Sequence, residues 1–229
     1  MAQQKELELE KLKEQVLKMG GFVESAIQKS IKALVERDRD LALSVIAGDA
    51  IVNAYDVEIE EDCIRLLAIW QPTGSNLRFI TTAIKIITDL ERMGDLAVDI
   101  CERTLELLEE PQLKPYIDIP RMAEASQKML KDSLDAFVAR DADLAVKVCA
   151  ADDFVDNLNQ QIFNELLVYM LQDPKNIARA VRLTYVAKYL ERVGDHATNI
   201  AEMVVYMVKG KVIRHMACEM RGPDVKGPQ

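Results

Sequence analysis

Two nearly identical segments decide the fold of this chain: residues 90–95, Leu-Glu-Arg-Met-Gly-Asp, and residues 190–195, Leu-Glu-Arg-Val-Gly-Asp. A second matching pair, residues 35–42 and 138–145, precedes them in the same order, with an Arg-Asp step in each copy. Two matches in the same order with a nearly constant offset indicate an internal duplication. The chain is therefore predicted to contain two copies of one structural unit.

The composition favours helices along the whole chain. Of the 229 residues, 49% are hydrophobic and 5% aromatic, and only 9 are Gly and 7 are Pro. Because the abundant residues are good helix formers and helix breakers are rare, long helices are expected. The apolar periodicity between the breakers predicts six, with Gly20 and Gly21 as a candidate bend in the first: residues 7–36, 40–70, 76–109, 120–139, 141–171 and 175–208.

Three helices in each copy, joined by short loops, predict an antiparallel bundle. The fold class is thus predicted to be all-α, with two tandem three-helix bundles related by a pseudo-two-fold. Residues 1–112 are assigned to the first bundle and residues 113–209 to the second, with the Pro-containing stretch at 111–120 as the linker. Residues 210–229 are polar and contain Gly and Pro, so they are predicted to be a flexible tail.

Charge and the absence of targeting segments argue against several functional classes. The formal net charge of −9 opposes binding to nucleic acid or anionic lipid. No apolar run approaches the roughly 20 residues that a membrane span needs, and the N-terminal residues lack the apolar segment of a signal peptide. The four cysteines form no Cys-x-x-Cys pair and are predicted to be reduced. The chain is therefore predicted to be cytoplasmic.

Acidic stripes run beside the apolar face of four predicted helices. At 100° per residue, carboxylates and amides three or four positions apart fall on one narrow line. On the second helix the stripe consists of Asp49, Asn53, Asp56 and Glu60. On the third helix it consists of Glu91, Asp95, Asp99 and Glu102. The second copy repeats it with Asp152, Asp156 and Asn159 on the fifth helix, where Phe163 replaces the last carboxylate, and with Glu191, Asp195, Asn199 and Glu202 on the sixth.

Two interpretations of these stripes remain open. Like charges four residues apart on a helix repel by a few tenths of a kcal/mol, so the stripes need compensation. They are either a solvated face with Lys and Arg neighbours or a surface that binds a cation. Oxygen-only ligands favour Mg²⁺, Ca²⁺, Mn²⁺ or oxidised iron, and the lack of Cys or His in the stripes opposes structural zinc. Recurrence of the stripe at matching positions favours the metal-binding interpretation.

Gly94 and Gly194 lie near the centre of the apolar face, where a glycine costs about 1 kcal/mol relative to alanine. They are predicted to let another helix approach closely. His196 is predicted to point away from the acidic stripe. The sequence contains no Gly-rich phosphate loop and no Glu-x-x-His, the pattern that carboxylate-bridged metalloenzymes carry. We therefore predict that the chain is not an enzyme. The alternatives to a metal-binding protein are a metal-free helical scaffold or adaptor and, less favoured, a carboxylate-bridged metalloenzyme.

The doubled Leu-Glu-Arg-x-Gly-Asp segment, continuing through residues 96–100 and 196–200, resembles the PhoU family of bacterial phosphate-system regulators. The resemblance extends from about residue 5 to residue 209 and includes the repeat, the Arg-Asp turns and the Pro loops. It implies a cytoplasmic regulator that connects the ATPase subunit of a phosphate importer with a membrane sensor histidine kinase. Such a protein would repress the phosphate-starvation response when phosphate is plentiful, and it would form a homodimer.

The resemblance also implies a metal-binding motif, Glu/Asp-x-x-x-Asp. In this chain the motif falls on Glu91 with Asp95, on Glu191 with Asp195 and on Asp152 with Asp156. At the position equivalent to the last pair, Asp49 is followed by the amide Asn53, and Asn199 is the counterpart of Asp99. Iron, manganese or magnesium is the implied metal, and these departures from the motif imply that the two halves bind it unequally.

Overall fold

The computed structural model describes residues 2–210, with side chains described from residue 4 onward. Within these residues the chain forms six α-helices, and a short 3-10 turn, Pro174–Asn176, leads into the last of them. The helices are α1 (Ala2–Glu36), α2 (Arg39–Trp70), α3 (Gly74–Leu108), α4 (Asp118–Ala139), α5 (Ala142–Gln172) and α6 (Ile177–Lys209). The prediction of six long helices in two tandem bundles is confirmed. Apart from Gly210, the predicted tail lies outside the described residues.

The repeated Arg-Asp step is a tight turn between antiparallel helices. Arg37 and Arg140 have the left-handed backbone, with φ of 57° and 53°, and end α1 and α4. The next residue begins the following helix, because the Asp38 carboxylate accepts a hydrogen bond from the Leu41 amide at 2.9 Å and Asp141 does the same in the second half. Such N-caps satisfy amides that the first helical turn leaves unpaired. The Arg-Asp step therefore reverses the direction of the chain in the same way in both halves.

Helices α3 and α6 lie in the middle of the molecule and pack on each other. Helices α1 and α2 pack on α3, helices α4 and α5 pack on α6, and α1 also contacts α4. The buried side chains of both halves form one continuous hydrophobic core. Because the two halves share this core, the predicted boundary between the two bundles, at residues 112 and 113, stays a prediction from the sequence repeat.

The central position of α3 widens its buried surface beyond the apolar face that helical periodicity predicts, which contains Val98, Cys101 and Leu105. Met93, Leu96 and Ile100 lie outside this face and are fully or almost fully buried, whereas Val98 and Leu105 within it are only partly buried. The prediction treated each bundle as separate, so it could not include burial between α3 and α6. Both central helices are thereby held from several sides, which gives the acidic residues beside the core a rigid support.

Helix α1 continues through the predicted bend at Gly20 and Gly21. A Cβ atom on Gly20 would lie 2.3 Å from Leu134 Cδ1 of α4, whereas a Cβ on Gly21 would meet nothing within 4 Å. Gly20 therefore lets α1 and α4 approach closely. Among the described helices, none is long and apolar enough to cross a lipid bilayer.

The segment between α3 and α4 is held from both halves. Arg37 Nη2 donates to the carbonyl oxygens of Leu108 and Glu110 at 3.0 and 2.8 Å. The Lys114 side chain is almost fully buried and pairs with Glu165 of α5. The Pro-containing linker predicted at 111–120 is thus largely non-helical, although α4 already begins at Asp118.

Candidate metal centre

In the second half, acidic residues from α5 and α6 come together beside Gly194. Burial, and after it the negative charges of Asp156, Asp195, Asp153 and Glu191 in that order, raises the pKa of Asp152 from 3.8 to about 6. Since these carboxylates act on one another across two helices, the stripes converge as predicted for antiparallel neighbours. Each carboxylate makes ionisation of the next one more costly.

The remaining groups of this cluster are only partly compensated. Burial raises the pKa of Asp195, the charge of Glu191 raises it further, and Lys188, His196 and Arg192 oppose the rise. Glu191 itself is ion-paired with Lys188 on the same helix. By contrast, the Asp152 Oδ1 atom is shielded from solvent and accepts no hydrogen bond. A buried carboxylate oxygen without a partner is costly and marks the point at which a cation would be most stabilising.

In the first half, Asp49 and Asp56 of α2 face Glu91 and Asp95 of α3. Burial raises the pKa of Glu91, and the charges of Asp95, Asp56 and Asp49 add to it against the lowering effect of Arg92. Arg92 Nη1 lies 3.6 Å from Asp95 Oδ2, and Arg92 Nε lies 3.4 Å from Glu91 Oε2. This cluster thus has four carboxylates like the second one, and Arg92 lies beside it as Arg192 lies beside Asp195 in the second half.

The amide Asn53 distinguishes the two halves. Asn53 Nδ2 donates to Asp49 Oδ2 at 2.8 Å, which partly offsets the rise in the pKa of Asp49 that burial and Asp95 cause. In the second half the corresponding residue is Asp156, which cannot donate when ionised and instead adds a negative charge beside Asp152. The second half therefore has a negative charge beside Asp152 at the position where the first half has a hydrogen-bond donor beside Asp49.

Other predicted residues lie at the margins of the clusters. Burial raises the pKa of Asp99, and the charges of Glu102 and then Asp95 raise it as well. Burial likewise raises the pKa of Asp56, together with the charge of Glu60. Asn199, in contrast, does not join the second cluster. Its Nδ2 atom donates at 3.2 Å to Asp89 Oδ1 on α3.

Asp89 was missed by the sequence reasoning. Its Oδ1 atom also lies 2.8 Å from His196 Nδ1, so the carboxylate binds two residues of α6. His196 therefore points across the boundary between the halves. Because these contacts join residues more than 100 positions apart, helix periodicity within one bundle gave no signal for them.

Gly94 and Gly194 lie against the α2 and α5 stripes. A Cβ on Gly94 would lie 3.2 Å from Asp49 Oδ1 and 3.3 Å from Val52 Cγ1. A Cβ on Gly194 would lie 3.2 Å from Asp152 Oδ1. In both halves the missing side chain makes room for the carboxylate of the neighbouring helix, so the close approach involves side chains rather than the helix backbone.

The donor chemistry suits a hard cation, since carboxylate oxygens dominate each cluster and two helices supply them. Among residues 2–210, however, no three His, Cys, Asp or Glu side chains are already arranged to hold one metal ion. A cation would have to draw the carboxylates together by rotation about their side-chain bonds. The unpartnered Asp152 Oδ1 and the mutually raised pKa values make the second cluster the better candidate.

Comparison with known proteins identifies the family. A family model described as "PhoU domain" matches the chain twice, at residues 16–104 and 119–204. The chain is 45% identical over 215 residues to a phosphate-specific transport system accessory protein PhoU homolog of Aquifex aeolicus, covering 94% of this chain and 97% of the relative. It is 38% identical to the PhoU protein of Escherichia coli, covering 91% and 87% of the two chains.

Solved structures give the same result. The crystal structure of PhoU from Pseudomonas aeruginosa matches with a TM-score of 0.86 and 39% identity, covering 90% of this chain and 99% of that one. The phosphate transport system regulatory protein PhoU from Streptococcus pneumoniae matches with a TM-score of 0.85 and 32% identity over 91% and 98%. These relatives are accessory or regulatory proteins rather than enzymes, in agreement with the prediction that the chain is not an enzyme. The chain belongs to the PhoU family.

Proposed function

We propose that this chain is a cytoplasmic negative regulator of phosphate uptake. In this role it binds the ATPase subunit of a phosphate importer and a membrane sensor histidine kinase, and it represses the phosphate-starvation response when phosphate is plentiful. The observation that carries the proposal is the 45% identity to a phosphate-specific transport accessory protein along 97% of that relative's length. Because the match extends through both bundles, it includes the acidic residues of both halves.

We further propose that the acidic clusters hold iron, manganese or magnesium. Asp152, Asp156, Glu191 and Asp195 would hold the metal in the second half, where Asp152 Oδ1 is shielded from solvent and has no hydrogen-bond partner. A bound cation would supply positive charge that lets all four carboxylates remain ionised at neutral pH.

In the first half, Glu91, Asp95, Asp49 and Asp56 would hold the metal. The Asp49 carboxylate already accepts a hydrogen bond from the side chain of Asn53. The proposal therefore gives the first half the weaker site.

A second role, a metal-free helical adaptor, is favoured by one observation. In the described part of the chain the carboxylates are not yet gathered around a common point. In that case the clusters would be acidic surfaces that meet partners directly. The two roles differ in what happens when the clusters lose their charge, because only the first predicts loss of bound metal.

The regulatory role is tested in a strain that lacks its own copy of the protein and carries a reporter driven by phosphate-starvation genes. The wild-type chain should silence the reporter in high phosphate, and E191A/D195A should fail to do so. A double variant of two exposed carboxylates elsewhere, E14A/E61A, provides the matched control and should silence it fully. A reporter that stays active with the wild-type chain would contradict the regulatory role.

Partner binding and assembly are measured on the same purified proteins. The importer ATPase subunit and the cytoplasmic part of the kinase should each be retained by the immobilised wild-type chain. Sedimentation equilibrium should give the mass of a homodimer. Retention of neither partner would contradict the proposed coupling, and a monomer at all concentrations would contradict the homodimer.

A further inference from the structure

The internal duplication allows equivalent surface grooves of the two halves to be compared. One groove runs between α1 and α2 and the other between α4 and α5. Eight of the eleven residues that line the second groove are equivalent, at an offset of 103, to residues that line the first. The two grooves are therefore the same structural feature in two versions, and the substitutions between them show what has changed.

The groove in the second half is much larger. In the first half Phe22 lines the groove and its ring packs on Tyr55, with centroids 5.4 Å apart, and the cavity measures about 180 Å³. The equivalent of Phe22 is Ala125, and the groove between α4 and α5 measures about 610 Å³. Loss of an aromatic side chain thus accompanies a cavity within the size range of small-molecule sites, about 300–1,000 Å³.

The charged side chains of the second groove also differ from those of the first: Arg121, Lys128 and Lys147 line it together with the carboxylates Glu124 and Asp132, which leaves one net positive charge. Ser25 and Ser44 of the first groove correspond to Lys128 and Lys147 of the second. Lys128 pairs with Asp132, whereas Lys147 forms no ion pair with any described residue. On a chain with a net charge of −9, lysines that replace serines beside an open cavity favour an anion locally.

The floor of the second groove is apolar and carries an aromatic ring. Val148 and Met129 are buried beneath it, and Phe154 is exposed at one side. The Arg121 guanidinium lies over the Phe154 ring, 5.3 Å from its centroid, which keeps a third cation beside the cavity. An apolar floor with cations at the rim suits a ligand that has one apolar part and one anionic part.

We propose that the groove between α4 and α5 binds a small aromatic anion. The ring occupies the space that corresponds to the Phe22 side chain in the first half. The anionic group reaches Lys147 and Lys128 at the rim, where charge-assisted hydrogen bonds favour it over an uncharged analogue. This site is separate from the acidic clusters and does not depend on the proposed regulatory function or on metal.

Two fluorescent probes test the proposal on the full chain: anilinonaphthalene sulfonate, an aromatic anion, and phenylnaphthylamine, its uncharged counterpart. A125F restores the first-half residue and should weaken binding of both probes at least about tenfold by filling the cavity. K128S/K147S restores the first-half serines. It should weaken binding of the sulfonate about tenfold while leaving the uncharged probe within about twofold.

The control K29S/K32S removes two lysines of α1, outside the second groove, and should leave both probes unchanged. Circular dichroism and thermal unfolding establish that each variant is folded. Unchanged sulfonate binding by A125F would overturn the proposal. The proposal would also be overturned if K128S/K147S weakened the binding of both probes equally or left both unchanged. In either case the lysines would not favour the anionic probe, and the groove would hold an uncharged occupant. A change of oligomeric state in A125F with unaltered probe binding would mean that a second copy covers the groove, which also refutes it.

Discussion

Replacing Asp152 with Asn should stabilise the metal-free protein at neutral pH and leave its stability nearly unchanged in acid. An Asp in the unfolded chain has a pKa near 3.8, whereas burial and neighbouring carboxylates raise the pKa of Asp152 to about 6. The folded state therefore holds the proton more tightly, and stability is lost as the pH rises from about 4 through about 6. At about 1.4 kcal/mol per tenfold change in the ionisation constant, the shift corresponds to at most about 3 kcal/mol at pH 7, and solvent screening at this partly exposed carboxylate reduces that cost. Because several carboxylates share this cost, we expect D152N to gain about 1–3 kcal/mol.

The assay is urea unfolding followed by circular dichroism at about pH 4 and pH 7 in the presence of a chelator. D49N is the matched control and should gain less, since Asn53 already donates to Asp49. Added Mn²⁺ should make the wild type more stable than D152N. A ligand at a hundred times its Kd stabilises the folded state by about 2.7 kcal/mol, and D152N should lose most of that stabilisation. A D152N protein that is no more stable than wild type at pH 7, or that gains equally at both pH values, would refute the reasoning.

Four other substitutions test the account of the fold, each by urea or thermal unfolding against wild type. G21A should stabilise α1 by up to about 1 kcal/mol through helix propensity, whereas G20A should be about 1–3 kcal/mol less stable than G21A because its Cβ meets buried Leu134 at 2.3 Å. Equal stability of the two variants would contradict the close approach of α1 and α4. D38A and D141A should each cost about 1 kcal/mol through loss of an N-cap; a loss in one half only would show that the repeated turns are not equivalent.

Periodicity and the internal repeat predicted the elements of the fold well. Apart from the start of α1, each helix boundary lies within two residues of the predicted one. The few Gly and Pro residues mark these boundaries, and the boundaries in one copy of the repeat indicate those in the other. The packing of α3 on α6 was not predictable in the same way, because a repeat defines what each bundle looks like but not how two bundles meet. Met93 and Ile100 are buried for that reason.

The candidate site was predictable in composition but not in detail. Helical spacing placed Glu191 and Asp195 on one line, and antiparallel neighbours account for their meeting with Asp152. The sequence also indicated that the halves differ at Asn53. It could not show that Asn199 turns toward Asp89, because that hydrogen bond depends on the α3–α6 contact. Nor could it show that one oxygen of Asp152 is left without a partner.

The proposal that the acidic clusters hold metal is tested most directly by anomalous scattering from crystals of the untreated protein. Peaks at the absorption edge of the bound metal should appear between α5 and α6, within reach of Asp152 and Glu191, with weaker or fewer peaks between α2 and α3. Crystals of E191A/D195A should lack the peak in the second half and keep any peak in the first. Wild-type crystals, grown from protein that was never exposed to chelator, would contradict the account if they showed at neither cluster an anomalous peak from iron or manganese or the electron density of a coordinated magnesium ion.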